Sequence, residues 1–284
     1  MGRAADPVQI DLRRVIAGKS PMLFRLMPRP LLRYLERIVH VEELNEILRS
    51  LHGSTGIEFA RRALEQLGAR VESVDAERVG EARRPIVVAN HPLGGLDGLA
   101  LLSSVAEQVR EVVLPANDLL MHLEGLRPVL VPVNKHGSNR LNREAIDRAF
   151  SGTTAIAHFP AGLCSRRKGD RVRDLEWQKS FVTRARRHER DVVPVHVEGE
   201  NSAFFYNLAR LRRWSGLGFN VEMLYLVDEM FKQRGRTIRL TFGRPIRWET
   251  LRATGVSDWL LARAISNHTY RLARDPDVEF TWRG

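Results

Sequence analysis

Two side chains six positions apart carry the clearest chemical signal in this chain. They are His91 and Asp97, in Ile86-Val87-Val88-Ala89-Asn90-His91-Pro92-Leu93-Gly94-Gly95-Leu96-Asp97. A run of β-formers ends at Asn90-His91, which places an imidazole at the carboxyl end of a buried strand, where sites in α/β folds gather. Two glycines later stands a carboxylate free to turn back on that imidazole. A histidine held by an aspartate is the minimal apparatus for taking a proton from a hydroxyl. The same Asp97 also suits a plainer role, as a cap on a helix opening at 98–102.

Three other segments offer groups to such a site. In His158-Phe159-Pro160-Ala161-Gly162-Leu163-Cys164-Ser165-Arg166-Arg167-Lys168-Gly169, a strand ends, a glycine permits a tight turn, and three cations follow. Backbone N–H groups beside guanidinium forks make an anion cradle for phosphate or carboxylate, although a basic surface loop reads the same way. Cys164 has no dedicated partner in the sequence and reads as a small packing residue. In Asp191-Val192-Val193-Pro194-Val195-His196-Val197-Glu198, a proline inside an apolar run predicts an edge strand or a bulge. His196 and Glu198 share a strand face, yet no third ligand stands at metal spacing, so no metal is expected. The last segment, Leu130-Val131-Pro132-Val133-Asn134-Lys135-His136-Gly137-Ser138-Asn139-Arg140, is a strand running into a polar turn that offers Lys135 and Arg140.

These residues need a scaffold. Residues 1–70 read as a helical N-terminal segment, with Leu44, Ile47, Leu48 and Leu51, then Ile57, Ala60, Leu64 and Leu67, at helical spacing. Gly68 follows as a C-terminal cap. From 71 to 284, strand candidates at 85–89, 112–114, 130–133, 154–159, 192–197, 223–227 and 238–242 alternate with helical stretches at 98–107, 140–150, 178–187 and 258–274. Such alternation predicts an α/β domain with a mostly parallel layered sheet flanked by helices.

With 43% hydrophobic and 28% charged residues the chain is globular rather than disordered. One cysteine excludes an internal disulfide framework and fits a reducing compartment. No apolar run approaches a membrane span and no secretory leader is recognised, so a cytoplasmic protein is expected. Asp6 stands where a myristoylation signal carries Ser or Thr. Forty-five Lys and Arg against 34 Asp and Glu give a net charge of +11, which favours an anionic partner.

The four segments, in this order, resemble the glycerolipid acyltransferase superfamily, which includes the 1-acylglycerol-3-phosphate acyltransferases. Asn90, His91 and Asp97 match its first block, 133–140 its basic turn, Phe159, Pro160, Gly162, Ser165 and Arg166 its Phe-Pro-Glu-Gly block, and Val193, Pro194 and Val195 its Val-Pro-Val strand. Two departures stand out. Five residues separate His91 from Asp97, one more than is usual in the family, and Ala161 replaces the Glu of the third block. The pattern is similar to a bacterial, hemolysin-like subgroup linked to amino-acid lipids.

The resemblance implies an O-acyltransferase that moves a fatty acyl group from a thioester to a lipid hydroxyl. His91 and Asp97 would be catalytic. Arg166, Arg167, Gly162, Lys135 and Arg140 would bind the acceptor, with Asn90, Phe159, Pro160, Ser165 and Pro194 in support. The acceptor would be lysophosphatidic acid-like or an N-acyl amino acid lipid. Acyl carrier protein or acyl-coenzyme A would be the donor, and no cofactor is implied. An amphiphilic substrate calls for contact with a membrane surface, here the inner face of the cytoplasmic membrane, and residues 21–34 and 202–214 interleave aromatic and apolar groups with arginines. A hydrolase or thioesterase using the same pair on water is the alternative. A nucleic-acid binder is disfavoured because the cations are dispersed and no nucleic-acid motif is present.

Overall fold

The computed structural model describes residues 10–117, 120–133, 140–215 and 221–282. Five helices come first: α1 (Leu12–Lys19), α2 (Pro21–Leu26), α3 (Arg29–Ile38), α4 (Val41–Ser50) and α5 (Gly56–Gln66). Pro28 separates α2 from α3, and its fixed φ suits the N-cap of the second piece. His40, with φ at +49°, breaks α3 from α4.

The remainder is β1 (Arg70–Val74), β2 (Ile86–Ala89), α6 (Gly95–Val105), β3 (Val112–Ala116), β4 (Leu130–Pro132), α7 (Arg140–Ser151), β5 (Ala155–His158), β6 (Arg166–Lys168), β7 (Arg171–Arg173), α8 (Ser180–His188), β8 (Val192–Val197), α9 (Ala203–Trp214), α10 (Leu226–Phe231), β9 (Thr237–Phe242), α11 (Trp248–Ala253) and α12 (Asp258–Arg271). Seven strands form one sheet in the order β1-β9-β8-β2-β5-β3-β4. All neighbours pair parallel except β8 with β9. The expected mostly parallel α/β sheet is therefore the observed one, with β2 at its centre.

Alternation along β2 explains why its residues are buried on both faces. Val87 and Ala89 enter an apolar cluster with α5 and α6, while Ile86 and Val88 enter a second cluster with Phe181 of α8 and Leu261 and Ile265 of α12. Leu51, Phe59 and Leu64 share the first cluster, so the N-terminal helices and the sheet have a common core.

Three details differ from the expectations. The 223–227 stretch is a 3-10 turn (Val221–Tyr225) leading into α10, not a strand. The carboxylates that flank it, Glu222 and Glu229, are the buried groups, and within 223–227 the apolar side chains are only partly buried, so the apolar run imitates a strand. β1 went unread because most of it is exposed and its sequence, Arg-Val-Glu-Ser-Val, has no apolar run. β8 lies inside the sheet and is not an edge; the bulge falls on the facing segment 242–246, opposite Pro194. Val195 faces Phe242 and Val192 faces Ile246, three steps on one strand against four on the other. The Pro194 carbonyl still accepts from Gly243 N at 2.8 Å.

Candidate active site

β2 delivers Asn90 and His91 to the carboxyl edge of the sheet. Asn90 locks that end in place: its amide donates to Val197 O at 2.8 Å and its carbonyl accepts from Val197 N at 2.7 Å. The chain then turns through Pro92, Leu93 and Gly94 into α6. Gly94 has φ at +75°, and a Cβ there would lie 2.9 Å from the Leu226 side chain, so both backbone and space require glycine.

The turn brings Asp97, in the first turn of α6, back onto His91. His91 Nδ1 and Asp97 Oδ2 are 3.0 Å apart, and the same oxygen accepts from Leu93 N at 2.8 Å and Gly94 N at 3.1 Å. Asp97 thus does both things its sequence position suggests: it satisfies N–H groups at the start of α6 and it holds the imidazole. The five intervening residues let the two partners meet, with Gly94 at positive φ in the turn between them. Asp97 is wholly buried, and this burial raises its pKa above the ordinary carboxylate value, opposed by the hydrogen bonds from His91, Leu93 and Gly94.

An ionised carboxylate only accepts, so opposite it Nδ1 is the donor, and in the neutral ring that tautomer leaves a lone pair on Nε2. Nε2 has no hydrogen-bond partner among the described residues. The His91 side chain is 18% exposed, so a substrate can approach it. Its ring stacks on Phe159, with centroids 4.2 Å apart.

The turn after β5 packs beside this pair. Pro160 is buried and its carbonyl accepts from Gln178 N. Gly162, at φ +66°, donates its N–H to Phe159 O, so that amide closes the turn. Ser165 N donates to His91 O at 2.8 Å. Pro194 pairs in register with Val88, three residues before His91. Cys164 is buried, and burial pushes its thiol up to about 12, which suits packing and not attack.

The proposed acceptor cations separate into different environments. Arg166 is 5% exposed. Its guanidinium meets Glu222 at 3.1 Å, donates to Cys164 O at 2.9 Å and lies over the Phe205 ring. Glu222 is fully buried and also pairs with Arg212 at 3.0 Å. Arg167 is open to solvent, over the Tyr206 ring and 3.5 Å from Glu200. Lys135 and the side chain of Arg140 lie outside the described residues. His196 stacks edge-on against Tyr270 of α12.

Two residues that contact His91 and Arg166 escaped the sequence reading. Asp174 touches the backbone of His91, and Glu222 neutralises Arg166; they lie 83 and 56 residues from those partners. Only an acidic residue three before a tryptophan, Asp174-Leu175-Glu176-Trp177, marked the first, and nothing marked the second.

Comparison with known proteins gives this architecture a class. The acyltransferase family model matches residues 14–277, and the chain belongs to that family, within the glycerolipid acyltransferase superfamily that its four segments resemble. It is similar to the lyso-glycine lipid O-acyltransferase of Phocaeicola vulgatus, 42% identical over 266 residues, 93% of this chain and 95% of that protein. The protein of the same name from Bacteroides thetaiotaomicron is 42% identical over 243 residues, 85% of this chain and 89% of that protein. Among solved structures, the 1-acyl-sn-glycerophosphate acyltransferase PlsC from Thermotoga maritima matches with a TM-score of 0.47 and 20% identity, over 96% of this chain and 95% of that chain.

Proposed function

We propose that this acyltransferase esterifies a hydroxyl of a lipid acceptor bearing a carboxylate head, of the N-acyl glycine type, with a fatty acyl group from acyl carrier protein or coenzyme A. The observation that carries the reading is the 3.0 Å contact between His91 and the buried Asp97. His91 Nε2 takes the hydroxyl proton as the oxygen attacks the thioester carbonyl. Asp97 holds the proton-bearing Nδ1 and stabilises the imidazolium. The carbon–sulfur bond then breaks, and the proton passes to the departing thiolate. None of these steps calls for a metal or a redox cofactor.

The relatives' names support the glycine-lipid acceptor, and so does Ala161, which stands where acyltransferases of phosphate-bearing acceptors carry Glu. Arg167 is the cation proposed to meet the head group, because Arg166 is already neutralised by Glu222. The test is product analysis by mass spectrometry, with lyso-glycine lipid and acyl-carrier donor supplied to the purified protein. The expected product is the diacylated lipid; free fatty acid without ester would favour hydrolysis. In the same assay Arg167→Ala raises the acceptor KM about tenfold, the worth of one exposed charge-assisted contact, with little change in kcat. An unchanged KM removes Arg167 from the acceptor site.

We also propose that the enzyme meets its substrates at an anionic membrane surface. Among the described residues no helix is long and apolar enough to cross a membrane. The two amphiphilic segments converge instead: Tyr34 and Tyr225 hydroxyls are 2.6 Å apart, and the Phe204 ring packs on Tyr225. α9 divides between Phe205, Tyr206 and Ala209, which face the core, and Phe204, Leu211 and Trp214, which face out. Trp214 is 85% exposed, Met22 73% and Leu26 70%. Arg25, Arg29, Arg33, Arg210 and Arg213 stand among them, a composition that suits the headgroup level of an anionic bilayer. Co-sedimentation with vesicles containing phosphatidylglycerol is expected, with loss in Trp214→Ala/Leu26→Ser. Equal pelleting of the double variant would place the contact elsewhere.

A further inference from the structure

We infer that Asp174 is a positioning residue for His91, fixing the backbone from which the imidazole is presented to the acceptor hydroxyl. This inference rests on the reading of His91 as the base. Asp174 follows the β6–β7 hairpin and is buried. Its Oδ1 accepts from His91 N at 3.1 Å and from the Ser165 hydroxyl at 2.6 Å. Its Oδ2 accepts from Trp177 Nε1 at 2.8 Å. Ser165 N in turn donates to His91 O at 2.8 Å. Both main-chain polar groups of His91 are therefore held by one bonded pair, Asp174 and Ser165. The Asp174 N–H donates to the Tyr270 hydroxyl at 2.8 Å, which ties the assembly to α12.

Two carboxylates thus act on one histidine along different degrees of freedom. Asp97 grips Nδ1 and sets the rotation of the ring. Asp174 grips the peptide N–H and sets the origin of the side chain. Three neutral donors converge on Asp174 and oppose the burial that raises its carboxyl pKa above the ordinary value. Without it the ring keeps its bond to Asp97, yet its pivot is free to drift with the β6–β7 hairpin. Misplacement by about 1 Å costs up to about 10²-fold in rate, because reacting atoms leave the attack geometry.

The test compares kinetics with a spectroscopic readout. Asp174→Ala is expected to lower kcat by about 10- to 100-fold while the KM values for acceptor and donor stay near wild type. The low-field proton signal of His91 Nδ1–H, assigned by its loss in His91→Ala, is expected to shift or broaden in Asp174→Ala. Asp174→Asn retains an acceptor oxygen for His91 and Ser165 and gives up only the Trp177 contact; most of kcat and the signal should return. Should the alanine variant fail to fold, Asp174→Glu displaces the same contacts by one methylene, and a loss confined to kcat is expected there. A folded Asp174→Ala or Asp174→Glu protein with wild-type kcat and an unmoved signal overturns the inference. Full activity in His91→Ala overturns the base assignment instead, so the two failures are told apart.

Discussion

His91→Ala folds and loses acyl transfer by about 10²- to 10⁴-fold, the usual worth of positioned base catalysis. The fold survives because the imidazole's loss takes away only one of the three hydrogen bonds that support the buried Asp97. Asp97 Oδ2 keeps its bonds from Leu93 N and Gly94 N, and the strand end remains clamped by Asn90 and Val197. What disappears is the Nε2 lone pair, the proposed base. Asp97→Asn probes the same step from the other side. Its amide oxygen can take the place of Oδ2 and still accept from Leu93 N, Gly94 N and His91 Nδ1, but a neutral group no longer stabilises the imidazolium by charge, and a loss within the roughly 10²- to 10⁴-fold worth of positioned base catalysis is expected in kcat. Near-ultraviolet circular dichroism reports the fold and steady-state assays report kcat. A His91→Ala enzyme that turns over like wild type would route the proton through another group and end the dyad proposal.

The contact between His91 and Asp97 was legible because its information is local. Asn90, His91, Gly94 and Asp97 lie within eight consecutive residues, and a buried strand followed by a helix start fixes their relative placement almost without help from the rest of the chain. The central strand and the helices before it were legible for the same reason: the continuous run of β-formers in β2 and the helical spacing in α4 and α5 are short-range patterns. What stayed hidden is long-range pairing of charge. The run Arg166-Arg167-Lys168 reads as three equivalent free cations, and only the fold shows that Arg166 is spent internally while Arg167 faces solvent. The partner, Glu222, sits inside a stretch whose apolar neighbours Met223, Leu224, Leu226 and Val227 imitate a strand. A carboxylate beside such a run is seen as solvated flank.

That buried charge cluster supports the second large effect, one of stability. Glu222→Ala is expected to destabilise the protein by about 3 kcal/mol, because removing the carboxylate leaves Arg166 as an uncompensated buried charge. Glu222 bridges Arg166, 5% exposed, and Arg212, and the Arg166 guanidinium is the one its loss strands. The Arg166 bonds to Cys164 O and Ser165 O remain, but carbonyl oxygens offer dipoles, not a counter-charge. The midpoint of thermal unfolding should fall by roughly 6 °C or more, and urea titration should report the same loss. Glu222→Gln, which keeps shape and hydrogen-bonding oxygen, should fall between alanine and wild type. Replacing all three with apolar residues of similar volume should restore most of the stability, since desolvating the ions consumes much of their attraction. Such a protein would also separate the two roles open to Arg166. If it keeps the acceptor KM, Arg166 is a brace between the β6–β7 hairpin and the 3-10 turn; if KM rises sharply while stability is restored, the guanidinium reaches the substrate after all.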